Sequence, residues 1–188
     1  MPPITKTSKE KIISAAHSLV KREGLDALNA RSLAKELGTS TQPIFTNYTS
    51  MDEIISDLST EAYKIYRRYI EDTYCENKFP PYKASGIAYT RFAREERELF
   101  KLLFMSKQGA KTNGSEFVSY DDIISPMAAG LGIDLETARA MHSEIWIWVH
   151  GASTLIASDF IPLDEEKISE MLTTVYSSLR EHYTKKSN

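Results

Sequence analysis

Residues 31–48, Arg-Ser-Leu-Ala-Lys-Glu-Leu-Gly-Thr-Ser-Thr-Gln-Pro-Ile-Phe-Thr-Asn-Tyr, leave this chain few ways to fold. Leu33, Ala34 and Leu37 share one face of a helix, and Ile44, Phe45 and Tyr48 share a face of a second. Gly38 falls where the first helix must end, a place that often requires a positive φ. Ser40 offers its hydroxyl as N-cap to the second helix. Pro43 lies in that helix's first turn, where an amide hydrogen is dispensable. Two short helices crossing through a small residue such as Ala34 make the helix-turn-helix of DNA readers. An ordinary αα-hairpin would share these features, so the flanking sequence has to decide.

The flanks are helical too. Ser8 can cap a helix through about Glu23, with Ile12, Ile13, Ala16, Leu19 and Val20 as its apolar stripe and Gly24 as its stop. Asn29 caps the next helix. Ser50 and Glu53 fit a capping box for a helix running through Ile54, Leu58, Ala62, Tyr66 and Ile70 to about Tyr74. At 1.5 Å per residue it would span roughly 36 Å, enough to lead into a second domain. Lys78-Phe-Pro-Pro interrupts the pattern. Helices then follow at about 82–94, 95–105, 116–130 (broken at Pro126), 135–158, and from an Asp164 cap to about Tyr183. Residues 1–7 read as a flexible arm and residues 106–115 as a loop. With no sustained strand alternation, the expected class is all-α: a three-helix helix-turn-helix head at residues 1–50 and a larger helical ligand and dimerisation domain at 51–188.

Charge supports that division. Residues 1–50 hold seven Lys/Arg and four Asp/Glu, a formal +3 that leaves −6 for residues 51–188 out of the chain's −3. A basic head on an acidic body suits a DNA-binding module joined to a part that need not touch DNA. A chain of 188 residues, 41% of them hydrophobic, is long enough to bury a core.

Several chemistries find no support. The single cysteine, Cys75, permits neither an intrachain disulfide nor a thiolate zinc cluster. There is no His-Glu-x-x-His, P-loop, Gly-x-Gly-x-x-Gly or Gly-x-Ser-x-Gly. His142 and His150 stand eight residues apart, about 12 Å along a helix. The carboxylate neighbours Asp121-Asp122 and Glu95-Glu96 diverge on a helix and read as solvated faces. Neither an enzyme nor a bound cofactor or metal is expected. The N-terminus lacks the apolar core of a secretory signal and no apolar run approaches a membrane span, so the expected location is the cytoplasm, with no membrane partner.

The second helix of the opening stretch presents Thr41, Gln42, Pro43, Thr46 and Asn47 outward. Gln and Asn bond adenine bidentately, and Thr meets a thymine methyl or a base edge. Arg31, with Lys6 or Lys9, can grip phosphates, as can the helix N-termini at Ser8 and Ser50. Over Leu28–Ile55 the pattern Leu-Ala-x-x-Leu-Gly-x-Ser-x-x-x-Ile-Phe-x-Asn-Tyr-x-Ser-x-Asp-Glu-Ile resembles the DNA-binding head of TetR-family transcriptional regulators. The preceding helix, with Ile13, Ala15, Ala16, Leu19 and Gly24, extends the likeness to about residues 8–60. The resemblance implies an all-helical homodimer whose last two helices dimerise, whose larger domain binds an inducer, and whose reading helix is about Thr41–Tyr48. DNA contacts would then fall on Arg31, Thr41, Gln42, Pro43, Thr46, Asn47 and Tyr48. Two positions depart from the family. Phe45 stands where a tyrosine hydroxyl usually meets a phosphate, and Met51 where a lysine often does. Each lost phosphate contact flattens the log–log salt slope by about 0.9. Tyr48 and Lys35 are the candidates to replace them.

Trp146-Ile-Trp-Val-His150-Gly151 resembles the Trp-x-x-x-His-Gly segment in the ligand domain of one subgroup. One helical turn separates Trp146 from His150, so the indole can pack on the imidazole, and Gly151 would let another backbone approach. Aromatic residues crowd residues 63–148. Most belong to the core, and Tyr66, Tyr89, Phe92, Phe104, Trp146 and His150 are the expected pocket residues, suited to an apolar or cationic compound. The reading is a repressor that binds a palindromic double-stranded operator as a homodimer, with half-sites 34–36 Å or a multiple apart, and leaves it when a small-molecule inducer shifts the long helix. The competing readings are a helical small-molecule carrier or enzyme that does not act on DNA, and a head that binds protein.

Overall fold

Helix starts in this chain follow the side chains able to satisfy free amide groups. In the computed structural model, which describes residues 7–107, 109 and 121–186, Ser8 precedes α1 (Lys9–Glu23) and its Oγ accepts from the Lys11 amide. Gly24 ends α1 at φ 84°, and a short 3-10 turn, Leu25–Ala27, leads to Asn29. The Asn29 Oδ1 accepts from the Arg31 and Ser32 amides while Ser32 Oγ accepts from the Asn29 amide, a complete capping box for α2 (Ala30–Glu36). Gly38 takes the expected positive φ of 64°. The helix α3 (Gln42–Asn47) is capped at Thr41, not Ser40, with no side-chain bond, and Pro43 lies in its first turn. Ser40 sits one residue too far from the freed amides to serve.

The long helix α4 covers Met51–Cys75. Ser50 Oγ accepts from the Glu53 amide as expected, but Glu53 reaches past Ser50 to the Thr49 amide and hydroxyl. Then come α5 (Pro81–Glu95), α6 (Arg97–Phe104), α7 (Asp121–Leu131), α8 (Leu135–Ala157, capped by Asp134) and α9 (Glu165–Lys186). Asp164 Oδ1 accepts from the Lys167 amide at the start of α9. Pro126 does not break its helix: α7 continues through it to Leu131. The described residues contain α-helices, one 3-10 turn and no strand, an all-α fold. The expected arm before Thr7, Lys6, most of the loop at 106–115, the helix start near residue 116 and the side chains of Asp121 and Asp122 lie outside the described residues.

Two compact units divide the chain: Met1–Lys64 with Glu98–Asn113, and Ile65–Arg97 with Gly114–Asn188. In the first, Ile12, Ala16, Leu19, Leu33, Ile44, Ile54 and Leu58 are fully or almost fully buried, and so are Leu99, Phe100 and Leu102 of α6. Arg22 pairs with Glu36 at 2.8 Å and ties the end of α1 to the end of α2. In the second, α5 packs on α8 and α9, and α7 on α8. Arg91 of α5 binds Glu165 at the start of α9 (Nε to Oε2, 2.6 Å) and Glu76 just past the end of α4. These pairs hold the Glu165 carboxyl below its ordinary range, the Arg91 hydrogen bonds being the largest cause. No helix among the described residues is long and apolar enough to cross a membrane.

Candidate nucleic-acid interface and internal cavity

The outer side of α3 is set by which of its residues the first unit claims. Ile44 is fully buried and Tyr48 is 2% exposed. The Tyr48 hydroxyl donates to Asp57 Oδ2 at 2.9 Å, and the Lys9 ammonium lies 4.3 Å from its ring centre. Burial, then the Asp57 carboxylate, push the phenol well above its ordinary pKa. Tyr48 is therefore a packing residue and does not replace the hydroxyl that Phe45 lacks. Asn47 is half-buried, and its side-chain NH2 donates to the Thr7 and Pro43 carbonyls at 3.0 and 2.8 Å. The donors it would use to bond adenine are already engaged.

Gln42 and Thr46 are exposed, Thr41 and Pro43 are half-buried, and Arg31 is exposed at the start of α2. Thr46 Oγ1 turns back onto the Gln42 carbonyl at 2.9 Å, which leaves its methyl group to the surface. Phe45, expected on the buried face with Ile44 and Tyr48, is 47% exposed instead. Ile44 and Tyr48 are one turn apart and point inward together, whereas Phe45 lies about 100° around the helix from Ile44. An open cleft of about 710 Å³ runs beside these residues, lined by Ser8, Lys9 and Glu10 of the α1 start and by Ser40, Gln42, Pro43 and Thr46. Lys9 spans this region but pairs with Glu53 at 3.2 Å. Lys35 is exposed on α2.

The second unit holds a different site. A cavity of about 40 Å³ lies among Tyr66, Tyr82, Ser85, Gly86, Tyr89, Ile123, His142, Ile145, Trp146, Val149 and Leu172. Of the six expected pocket residues, Tyr66, Tyr89 and Trp146 line it. His150 is one bond away, its Nδ1 2.9 Å from the Tyr89 hydroxyl, and it stacks under the Trp146 indole at 5.1 Å with the rings 16° apart. Phe92 is a correction: it is fully buried, against Tyr66 and Tyr69, and is not in the lining of this cavity. Phe104 is a second, because it belongs to the first unit, against Phe100. Gly151 is exposed, and within this chain a β-carbon there would meet nothing. Beside this cavity, Gly86 admits a neighbour: a β-carbon there would come within 2.8 Å of Leu172.

Sequence reading missed Tyr82 and His142, whose Oη and Nδ1 are 2.9 Å apart, as well as Gly86 and Leu172. Tyr82 sits at a helix start after two prolines, where no periodicity yet marks a face; the other three came from separate helices. Burial lowers the pKa of both His142 and His150. No cluster of three His, Cys, Asp or Glu able to hold a metal occurs among the described residues.

Neither a family model nor a curated protein matches the sequence. Solved structures do. A member of the TetR family from Streptomyces coelicolor A3 matches with a TM-score of 0.63 at 18% identity, over 89% of this chain and 96% of that one. A protein of unknown function from Rhodococcus sp. RHA1 matches with a TM-score of 0.68 at 19% identity, over 97% and 98%. The chain thus has the fold of a TetR-family protein across nearly its whole length, which is the architecture its sequence resembles.

Proposed function

We propose that this chain is a TetR-type, sequence-specific DNA-binding transcriptional regulator, a repressor released by a small-molecule inducer. The observation that carries the reading is α3, a short helix after a glycine turn whose outward side chains are Gln42, Phe45 and Thr46. Gln42 supplies the bidentate contact to adenine, Thr46 and Phe45 supply apolar contacts to thymine methyl groups, and Arg31 supplies a phosphate contact. DNA contact belongs to residues 1–50, ligand binding and dimerisation to residues 51–188, and the protein works in the cytoplasm. The ligand acts by favouring an arrangement that binds DNA poorly, with α4, the helix that both units share, as the connecting element.

The test is fluorescence anisotropy with duplexes tiled across the DNA upstream of the gene for this chain. One palindromic segment should bind at low salt, with a log–log salt slope that counts the phosphates neutralised. A protein that binds no segment at 50 mM salt overturns the reading. The homodimer rests on the apolar outer side of α8, where Ile147 is 65% exposed and Gly151 leaves room for a close approach. Ile147→Arg should convert the dimer to monomer in sedimentation velocity. An unchanged profile would move the seam elsewhere.

A further inference from the structure

The cavity beside Trp146 is by itself too small for the role just proposed. Sites for drug-sized ligands hold roughly 300–1,000 Å³, and this one holds about 40 Å³. A second hollow of about 300 Å³ opens beside it in the same unit, lined by Pro80, Tyr82, Lys83, Leu172, Thr173 and Tyr176. Tyr82 and Leu172 line both. They stand between the smaller hollow, called the inner chamber below, and the larger, called the outer. Leu172 occupies its place only because residue 86 is glycine. The Tyr82 side chain makes a hydrogen bond to His142, an edge contact with the His142 ring and a tilted contact with the Tyr176 ring.

The chambers differ in chemistry. The inner one is lined by no Asp, Glu, Lys or Arg. Its Tyr82 and Tyr89 hydroxyls are each engaged with a histidine. The Trp146 Nε1–H is buried and meets no acceptor among the described residues. A buried donor without a partner favours any ligand that brings an acceptor. The outer chamber has one charged residue in its lining, Lys83, whose ammonium donates to Thr173 Oγ1 at 2.7 Å. Partial burial lowers the Lys83 pKa, a cost that an anionic partner would remove.

Resting on the reading of this unit as a ligand domain, we propose that the two chambers form one site gated by Tyr82 and Leu172. Its ligand is an elongated, largely apolar molecule with a neutral carbonyl acceptor for Trp146 Nε1 at its inner end and a carboxylate for Lys83 at its outer end. This replaces the apolar or cationic compound that the aromatic content alone suggests. A cation in the inner chamber would find no carboxylate among its lining residues, and burial disfavours the charged form of His142, which faces it, and of His150, which adjoins it.

The test is isothermal titration of the full chain with three rigid probes: 4′-acetylbiphenyl-4-carboxylate, its 4′-ethyl analogue lacking the acceptor, and its methyl ester lacking the charge. The keto acid should bind tightest. Trp146→Phe should erase its advantage over the ethyl analogue, about five- to tenfold for one hydrogen bond, and leave the ethyl analogue's affinity unchanged. Lys83→Met, a half-buried position outside the core, should erase its advantage over the ester. Leu172→Ala should tighten all three by removing part of the gate. Equal binding of the three probes, or an advantage that survives Trp146→Phe and Lys83→Met, overturns the proposal, as does absence of binding to both wild type and Leu172→Ala. If the probes fail while a cell extract still releases the protein from its DNA segment, the ligand-domain reading stands and this ligand chemistry falls. If the extract also fails, both fall.

Discussion

The two compact units place their polar groups in opposite ways. In the first, the consequential polar side chains are outside: Arg31, Gln42 and Thr46 are exposed, and an aromatic ring, Phe45, is exposed beside them. In the second they are inside, where Trp146 Nε1, His142 and the Tyr89–His150 pair surround a small cavity. An exposed mixture of amide, methyl and ring is suited to a partner that is itself polar and grooved. A buried donor in an uncharged chamber is suited to a small, mostly apolar partner that arrives dry. The contrast is one of desolvation: polar groups left in water can meet a polar partner, whereas polar groups withdrawn from water meet only what enters beside them.

The strongest test of the contrast is Phe92→Ala. A large ring fully buried in the second unit should cost about 3–5 kcal/mol of stability, read from denaturant unfolding. A small stability loss joined to a large loss of ligand affinity would return Phe92 to the pocket wall. Next comes a pair on α3. Gln42→Ala should lose about 1–3 kcal/mol of preference for the right base with little change in stability. Asn47→Ala should do the reverse, because its amide bonds to Thr7 and Pro43 hold the first unit together. If Asn47→Ala alters base preference as much as Gln42→Ala, the assignment of reading and structural roles is wrong. Tyr48→Phe is smaller. Losing its hydrogen bond to Asp57 should cost about 0.5–1.5 kcal/mol of stability and leave the salt slope of DNA binding unchanged.

The smallest effect is with pH. Burial depresses both His142 and His150 below their ordinary value of 6.5. The unfolded chain therefore takes up protons near pH 6.5 that the folded chain refuses, so stability is full above that pH and declines as pH falls through it. Glu165, depressed by Arg91, adds its own loss only at lower pH, below the ordinary carboxyl value of 4.5. Melting temperature should fall modestly between pH 7.5 and 5.5, and His142→Gln should reduce that fall. A flat profile across this range would mean that the buried histidines are already protonated or solvated.

Local chemistry made most of the fold legible. The caps at Ser8, Asn29, Asp134 and Asp164, the turn at Gly38 and the long helix after Ser50 all rest on interactions between residues two to four apart, which sequence spacing displays directly. The Trp146–His150 stack is of the same kind, one turn along one helix. Pro126 was misjudged because proline removes a single helical hydrogen bond, and α7 continues through that loss. The candidate sites were legible only in part. Gln42, Thr46 and Arg31 are outward as expected, and Tyr66, Tyr89 and Trp146 reach the cavity, but Asn47 and Tyr48 turn inward and Phe92 and Phe104 lie off the cavity.

What the sequence by itself determined is therefore the all-α class, the helix order and the helix-turn-helix, since apolar period, caps and turns are written within a few residues of one another. The tertiary structure decided which side of each helix meets solvent and which side chains meet across helices. A six-residue helix such as α3 has too few turns to define a face, so only its packing shows that Phe45 is out, Tyr48 is in and Asn47 is occupied. The chamber wall draws Gly86 from α5, His142 from α8 and Leu172 from α9, and no local pattern links residues that distant. Tertiary packing alone brings them within reach.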